Sequence, residues 1–210
     1  MPTQTERRSG ATPSYDLASW RSRIPLLTSL IPMNNCSQAP QTDATRAAAE
    51  RYLESWNHSG MDWDAWIEEV QLAKQEFARL INAEPDEIAV FSSVSEATSA
   101  VASTIDFTDD RHKVVVTEAE FPTIGHIWLA QERRGAHVAW VSVQNGMIAP
   151  DTYDAIVDDR TAIVSACHGY YLNGYTQDLA VLAARAHEHG ALLYVDAYQT
   201  LGTVPVDVRA

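Results

Sequence analysis

Between Glu87 and Asp196 the chain alternates short, nearly unbroken runs of Val, Ile, Leu and Ala with longer stretches of helical periodicity. No other feature of the sequence restricts the fold as much. The runs read as strands are Glu87–Phe91, Lys113–Thr117, His137–Ser142, Thr161–Ala166 and Ala191–Asp196. Helical stretches lie between them, near Ser95–Ile105, Thr123–Arg134, Pro150–Val157 and Gln177–His189. A strand that is apolar throughout, rather than at every second residue, is covered on both faces, and a strand followed by a helix belongs to a parallel crossover unit. The pattern therefore predicts an α/β fold, a three-layer, doubly wound and mainly parallel sheet. Ligands of such sheets bind beyond the carboxyl ends of the strands, so the residues just after each run carry the functional candidates.

Upstream the texture differs. Residues 1–22 are rich in Thr, Ser, Arg and Pro and read as a flexible arm. A helix is expected from Thr42 to Trp56, and a second follows from Trp63, Trp66, Ile67, Val70, Phe77, Leu80 and Ile81, which recur at helical spacing after Asp62. The expected organisation is an arm over 1–22, a helical segment over 23–84 and a sheet domain over 85–210. The chain of 210 residues has 46% apolar residues, enough for a core, and a formal net charge of −13 with no Lys/Arg-rich run, which excludes a phosphate-backbone surface and nucleic acid as partner. Cys36 and Cys167 are far apart and outside any CxxC, so the expected setting is reducing and cytoplasmic. No run approaches the roughly 18 apolar residues of a membrane span, and neither a signal peptide nor a membrane partner is expected.

Four strand ends carry chemistry. Ser92-Ser93-Val94-Ser95-Glu96 leads into a helix whose free N–H groups suit an anion, although Ser93 with Glu96 also matches a capping box that needs no ligand. Phe121 follows the Lys113–Thr117 run, placed either to stack on a flat ligand or to staple the next helix. His168, in Cys167-His168-Gly169-Tyr170-Tyr171-Leu172-Asn173, is an acid/base candidate or a satisfied structural histidine. Asp196 closes an apolar run, a costly place for a carboxylate without a partner, and is the leading single candidate. His187-Glu188-His189 lacks the i, i+4 spacing of a helical zinc pair, and no metal site is expected.

Three ordered motifs, Glu120-Phe121-Pro122-Thr123, Val195-Asp196-Ala197-Tyr198-Gln199 and Leu201-Gly202-Thr203-Val204-Pro205-Val206-Asp207-Val208, resemble the class V aminotransferases, the fold-type-I pyridoxal-phosphate enzymes that include cysteine desulfurases, selenocysteine lyases and kynureninase-like proteins. The resemblance runs from about Pro32 to Val208. It implies a pyridoxal-phosphate cofactor with Asp196 on the ring nitrogen, Gln199 on the phenolic oxygen, Phe121 over the ring face and Val94 with Ser95 at the phosphate. It further implies Asn35 and Cys36, in Asn34-Asn35-Cys36-Ser37, near the substrate carboxylate, and His168 with Tyr171 flanking the cofactor. The implied activity is lyase or desulfurase cleavage of a C–S or C–C bond of an amino acid rather than transamination, in a homodimer. The lysine that anchors the cofactor in this family is expected on a strand after Asp196, past Ala210, since Lys74 and Lys113, the only two lysines, match neither its strand nor its place. The alternative is a non-catalytic module, a pseudoenzyme or a subunit that takes the lysine from another chain. An unrelated nucleotide-binding domain ranks last, because no GxGxxG or GxxxxGK[ST] follows the first expected strand.

Overall fold

A computed structural model describes residues 16–36 and 38–210, which fall into two compact units that divide between Trp63 and Asp64. In the first unit, Asp16 caps a short helix, α1 (Leu17–Ser22), by accepting from the Ser19 amide. The expected arm over 1–22 is thus partly helical; residues 1–15 lie outside the described residues. A 3-10 turn over Pro25–Thr28 follows, then α2 (Asp43–Ser59), started by Thr42, whose hydroxyl accepts from the Thr45 amide at 3.0 Å. The Arg23 guanidinium beside Asp43, at 3.2 Å, holds that carboxyl below the usual carboxylate range and pins the start of α2 to the end of α1. No residue of α2 is buried.

The second unit takes in α3 (Trp63–Ile81) from its second residue onward, so the division falls at residue 63 rather than near 84. The reason lies at the far end of that helix. Asn82 stops α3 in the left-handed region at φ 59°, and the Ala83 amide reaches back to the Ala78 carbonyl, a Schellman close. The Val208 amide then bonds the Ile81 carbonyl, Asn82 bonds the Asp207 carboxylate, and Arg209 pairs with Glu87. These contacts join α3 to the end of the sheet segment, over a separation in sequence of some 125 residues.

The sheet has four parallel strands, β1 (Lys113–Thr117), β2 (His137–Val141), β3 (Thr161–Cys167) and β4 (Leu192–Asp196), in the order β2-β1-β3-β4. Helices cover both faces. On one side α4 (Val94–Thr104) and α5 (Pro122–Ala130) bury Ala102, Ile124 and Trp128 against Val114, Val116 and Ile163. On the other side α6 (Asp151–Asp154) and α7 (Leu179–Glu188) bury Tyr153, Leu182 and Ala186 against Val115, Val164 and Ala166. Complete burial of a side chain such as Ile124 stabilises the fold by about 1.5–3 kcal/mol. The step from β1 to β2 passes over the first face and the return steps to β3 and β4 over the second, so all crossovers have one hand. This is the expected three-layer, doubly wound α/β fold.

The run Glu87–Phe91 departs from the expectation. Its start belongs to a 3-10 turn over Pro85–Glu87, and among the described residues nothing pairs with Ile88–Phe91 as a strand. Val90 and Phe91 are exposed. An apolar β-prone run becomes a strand only when a neighbour takes its N–H and C=O groups.

Candidate functional site

Strand order reverses at β1, which lies between β2 and β3, so the crevice beyond the carboxyl ends of β1 and β3 is the topological switch point. Asp196 ends β4 beside it, in register with Cys167 of β3. The Asp196 side chain is 9% exposed, and its Oδ1 accepts from the Tyr198 amide at 2.9 Å. Among the described residues no ion pair reaches it, and burial raises its carboxyl above the ordinary range. An acid held there without a counter-charge favours a cationic ligand.

Glu120, which sequence reasoning passed over, lies deeper. The Glu120 amide turns back to the Thr117 carbonyl, folding the side chain under the end of β1, where it is 5% exposed. Oε1 accepts from the Ser165 hydroxyl at 3.1 Å, whereas Oε2 meets no donor among the described residues. Burial, followed by the charge of Asp196 and opposed by the Ser165 bond, pushes the carboxyl up to about 8.

Phe121 caps α5, with Pro122 in the first turn, and is 50% exposed. Its ring meets that of Tyr171 edge-on, with centroids 5.4 Å apart. Of its two readings, the open aromatic surface is the one adopted, and Tyr171 sets the angle of that surface. Ser93 accepts from the Glu96 amide at 3.1 Å, and the Glu96 carboxylate folds back onto the Ser92 amide and hydroxyl. This leaves the Val94 and Ser95 amides, the first two of the helix, without intrahelical acceptors and available to an anion. Thr98 donates to the Val94 carbonyl at 2.7 Å and accepts from the Tyr194 hydroxyl at 2.6 Å. Tyr194 and Asp196 are two residues apart on β4 and so point the same way. This chain of bonds holds the first turn of α4 in register with the Asp196 strand.

His168 is buried, its amide donates to the Asp196 carbonyl at 2.8 Å, and its Nδ1 lies 2.8 Å from the Thr200 hydroxyl. Burial holds its imidazole below the usual range. The Thr200 hydroxyl also lies 3.3 Å from the Ala197 carbonyl, so it is held between the imidazole and the backbone. Gly169 lets the two segments touch: a Cβ there would lie 2.5 Å from Thr200 Cγ2. Gln199 sits half-buried in the turn closed by the Thr200 amide on the Ala197 carbonyl. Beneath β3, Gln177 donates to the Cys167 carbonyl and accepts from the buried Tyr153 hydroxyl, a network with no mark in the sequence.

Asn35 and Cys36 lie in an exposed turn of the first unit, where the Cys36 thiol donates to Asn34 Oδ1 at 3.1 Å; Ser37 lies outside the described residues. Cys167 is buried with its thiol on the Ala119 carbonyl, and burial pushes that thiol up, away from a reactive thiolate. Lys113, at the opposite end of β1, is tied to Asp158 at 2.8 Å and to the Ile156 carbonyl, and Lys74 lies within α3. An apolar groove of about 780 Å³ beside β4, lined by Phe77, Ile81, Leu179 and Val195, touches the site at His168, Gln177 and Ala197. Among the described residues no cluster has the makings of a metal site, and no helix is long and apolar enough to cross a membrane.

Anion donors, an open aromatic face and a buried carboxyl with no cation of its own make up the donor set for a flat cationic ring that carries an anionic group. The family model for class-V aminotransferases matches residues 35–210. The uncharacterized aminotransferase YcbU of Bacillus subtilis (strain 168) is 34% identical over 190 residues, 90% of this chain and 50% of that protein. A probable cysteine desulfurase of Methanothermobacter thermautotrophicus is 31% identical over 196 residues, 90% of this chain and 49% of that one. A C-DES mutant with glycine covalently linked to its PLP cofactor shares the fold, with a TM-score of 0.79 at 22% identity over 90% of this chain and 52% of that one. The chain spans about half the length of the curated relatives it matches.

Proposed function

The chain belongs to the class-V aminotransferase family, and from that premise we propose that it forms the cofactor-binding part of a pyridoxal-phosphate enzyme that cleaves a C–S or C–C bond of an amino acid. The observation that carries the reading is Asp196: a buried carboxyl at a strand end, with no cation beside it, held in register with the open N–H groups of α4 through Tyr194 and Thr98. Bound there, pyridoxal phosphate supplies an electron sink for the pair left when a bond of the amino acid breaks.

The chain's own residues bind and orient. Val94 and Ser95 would take the phosphate on their amides, aided by the Ser95 hydroxyl, and Phe121 would cover one face of the ring. Asp196 would pair with the ring nitrogen, and Gln199 would bond the phenolic oxygen. His168, whose cationic form burial disfavours, is the acid/base candidate, oriented by Thr200. Tyr171 would serve the substrate side of the Phe121 ring. Desulfurase-type cleavage is favoured over transamination by the relative named as a probable cysteine desulfurase. The anchoring lysine comes from outside these residues, because Lys113 is spent on Asp158 at the far end of the sheet and Lys74 sits on α3. The same placement supports the second reading, a module that binds the cofactor and depends on another chain for catalysis.

We extend the reading to a homodimer, supported by α2, where Tyr52, Leu53 and Trp56 are exposed and no residue is buried. A cytoplasmic setting agrees with the two free cysteines. The test is the visible spectrum of the purified chain titrated with pyridoxal phosphate, followed by borohydride and an intact mass. A saturable shift in the cofactor band without a borohydride-fixed adduct on the 210 residues supports the reading; no shift refutes it. Native mass spectrometry showing only monomer refutes the dimer.

A further inference from the structure

The chain after β3 doubles back on itself over residues 168–177, and this hairpin is braced from base to tip. At the base the Gln177 amide donates to the His168 carbonyl at 2.9 Å, and the Gln177 side chain donates to the Cys167 carbonyl at 2.7 Å. Next, Gly169 and Thr176 pair as an antiparallel bridge, and the Tyr170 amide donates to the Tyr175 carbonyl at 2.8 Å. The turn over 171–174 closes with the Gly174 amide on the Tyr170 carbonyl, Gly174 taking φ 73°, where a side chain would be strained. Asn173 fastens the tip with both ends of its amide: Nδ2 donates to the Gly146 carbonyl at 2.7 Å, and Oδ1 accepts from the Tyr175 amide at 3.0 Å. The buried Tyr170 ring packs on Tyr175 with centroids 5.1 Å apart. Turns ordinarily carry small or polar residues, yet this one presents Tyr171 and Leu172, 40% and 77% exposed.

Tyr171 is thus an aromatic side chain on a rigid support, and its ring stands at 75° to the half-exposed ring of Phe121. From 169 to 177 the sequence holds no Asp, Glu, Lys or Arg, and burial disfavours the cationic form of His168 at the base. A ligand group beside Tyr171 meets apolar surface with no charge on the hairpin to pair with. A charged group would lose hydration there without a replacement, whereas an apolar one takes its own surface and that of two rings out of water. Bracing adds to the gain, because a preorganised wall has little freedom left to lose on binding. We infer that Tyr171 selects the amino acid: the substrate carries an uncharged, apolar group beyond the bond that breaks, and that group lies against the Tyr171 ring. The inference rests on the cofactor reading above and narrows its substrate class.

The experiment is an equilibrium titration of the 210-residue chain with phosphopyridoxyl amino acids, followed by pyridoxyl fluorescence. In these conjugates a stable secondary amine joins the cofactor to the amino-acid nitrogen, so no lysine is needed for binding. The leucine conjugate is expected to bind about tenfold tighter than the glycine conjugate, and the aspartate and lysine conjugates no tighter than the glycine one. Tyr171→Ala is expected to cut the leucine-to-glycine ratio to about threefold or less, while Tyr171→Phe keeps it, because the ring and not the hydroxyl forms the wall. The wild-type series needs no variant and judges the selection by itself. Equal binding of the leucine and glycine conjugates, tighter binding of a charged conjugate, or a ratio that Tyr171→Ala leaves in place overturns the inference while the cofactor reading stands. No binding of any conjugate, the glycine one included, overturns the cofactor reading and the inference with it.

Discussion

Gly169→Ala tests the packing that holds His168 in place. The methyl group would sit 2.5 Å from Thr200 Cγ2 and 3.5 Å from Gln199 Cβ, and contact of carbon with carbon begins near 3.5 Å. Thr200 has little freedom to withdraw. Its amide donates to the Ala197 carbonyl, its own carbonyl accepts from the Thr203 and Val204 amides, and its hydroxyl bonds His168 Nδ1 at 2.8 Å. Rotating the side chain to move Cγ2 breaks the His168 bond. Overpacking costs about 1–3 kcal/mol, and a lost buried hydrogen bond adds about 1 kcal/mol. The expected destabilisation is therefore about 2–4 kcal/mol, read by urea denaturation followed by tryptophan fluorescence. Thr200→Ser removes Cγ2 and keeps the hydroxyl, so the double variant should recover most of the loss, with a coupling of about 1–3 kcal/mol in the mutant cycle. A Gly169→Ala chain within about 0.5 kcal/mol of wild type, or a double variant no better than the single, refutes the argument.

Glu120→Gln should change the pH dependence of stability. A carboxyl at about 8 in the folded state against 4.5 in its ordinary state binds more protons folded than unfolded, so the wild type is most stable below about pH 4.5 in this respect and loses that stability up to about pH 8. The variant, which does not titrate, should gain on the wild type across that window by on the order of a few kcal/mol; parallel denaturation profiles would refute this. Phe121→Ala should weaken pyridoxal-phosphate binding about tenfold, as loss of one ring contact of about 1 kcal/mol or more predicts, while the half-exposed position keeps the denaturation midpoint nearly unchanged. Tyr194→Phe removes the bond to the fully buried Thr98 and should cost about 1–2 kcal/mol. It should also weaken cofactor binding, which equilibrium titration checks, because the first turn of α4 loses its tie to β4.

The strands and the ends that matter were legible because their signal is local. Lys113–Thr117 reads as a doubly covered strand from its unbroken Val residues, and Asp196 stands out as an acid closing such a run. Glu87–Phe91 has the same composition and forms no strand among the described residues, since a strand is defined by its neighbour and not by its own residues. Phe121 is a second case: its two readings differ only in exposure, and its half-exposed ring against Tyr171 is a tertiary fact.

By itself, then, the sequence determined the α/β class, the covered sheet and the places along the chain where a ligand-binding group ends a strand, because periodicity, capping and turn chemistry act within a few residues. Only the tertiary structure decided the charge state and company of those groups. Glu120 resembles any surface acid until the turn after β1 tucks it under Ser165, and Thr98 is joined to Tyr194 across 96 residues of chain. Burial and counter-charge are set by what packs from elsewhere in the chain, and burial holds the carboxyls of both Glu120 and Asp196 above the ordinary range.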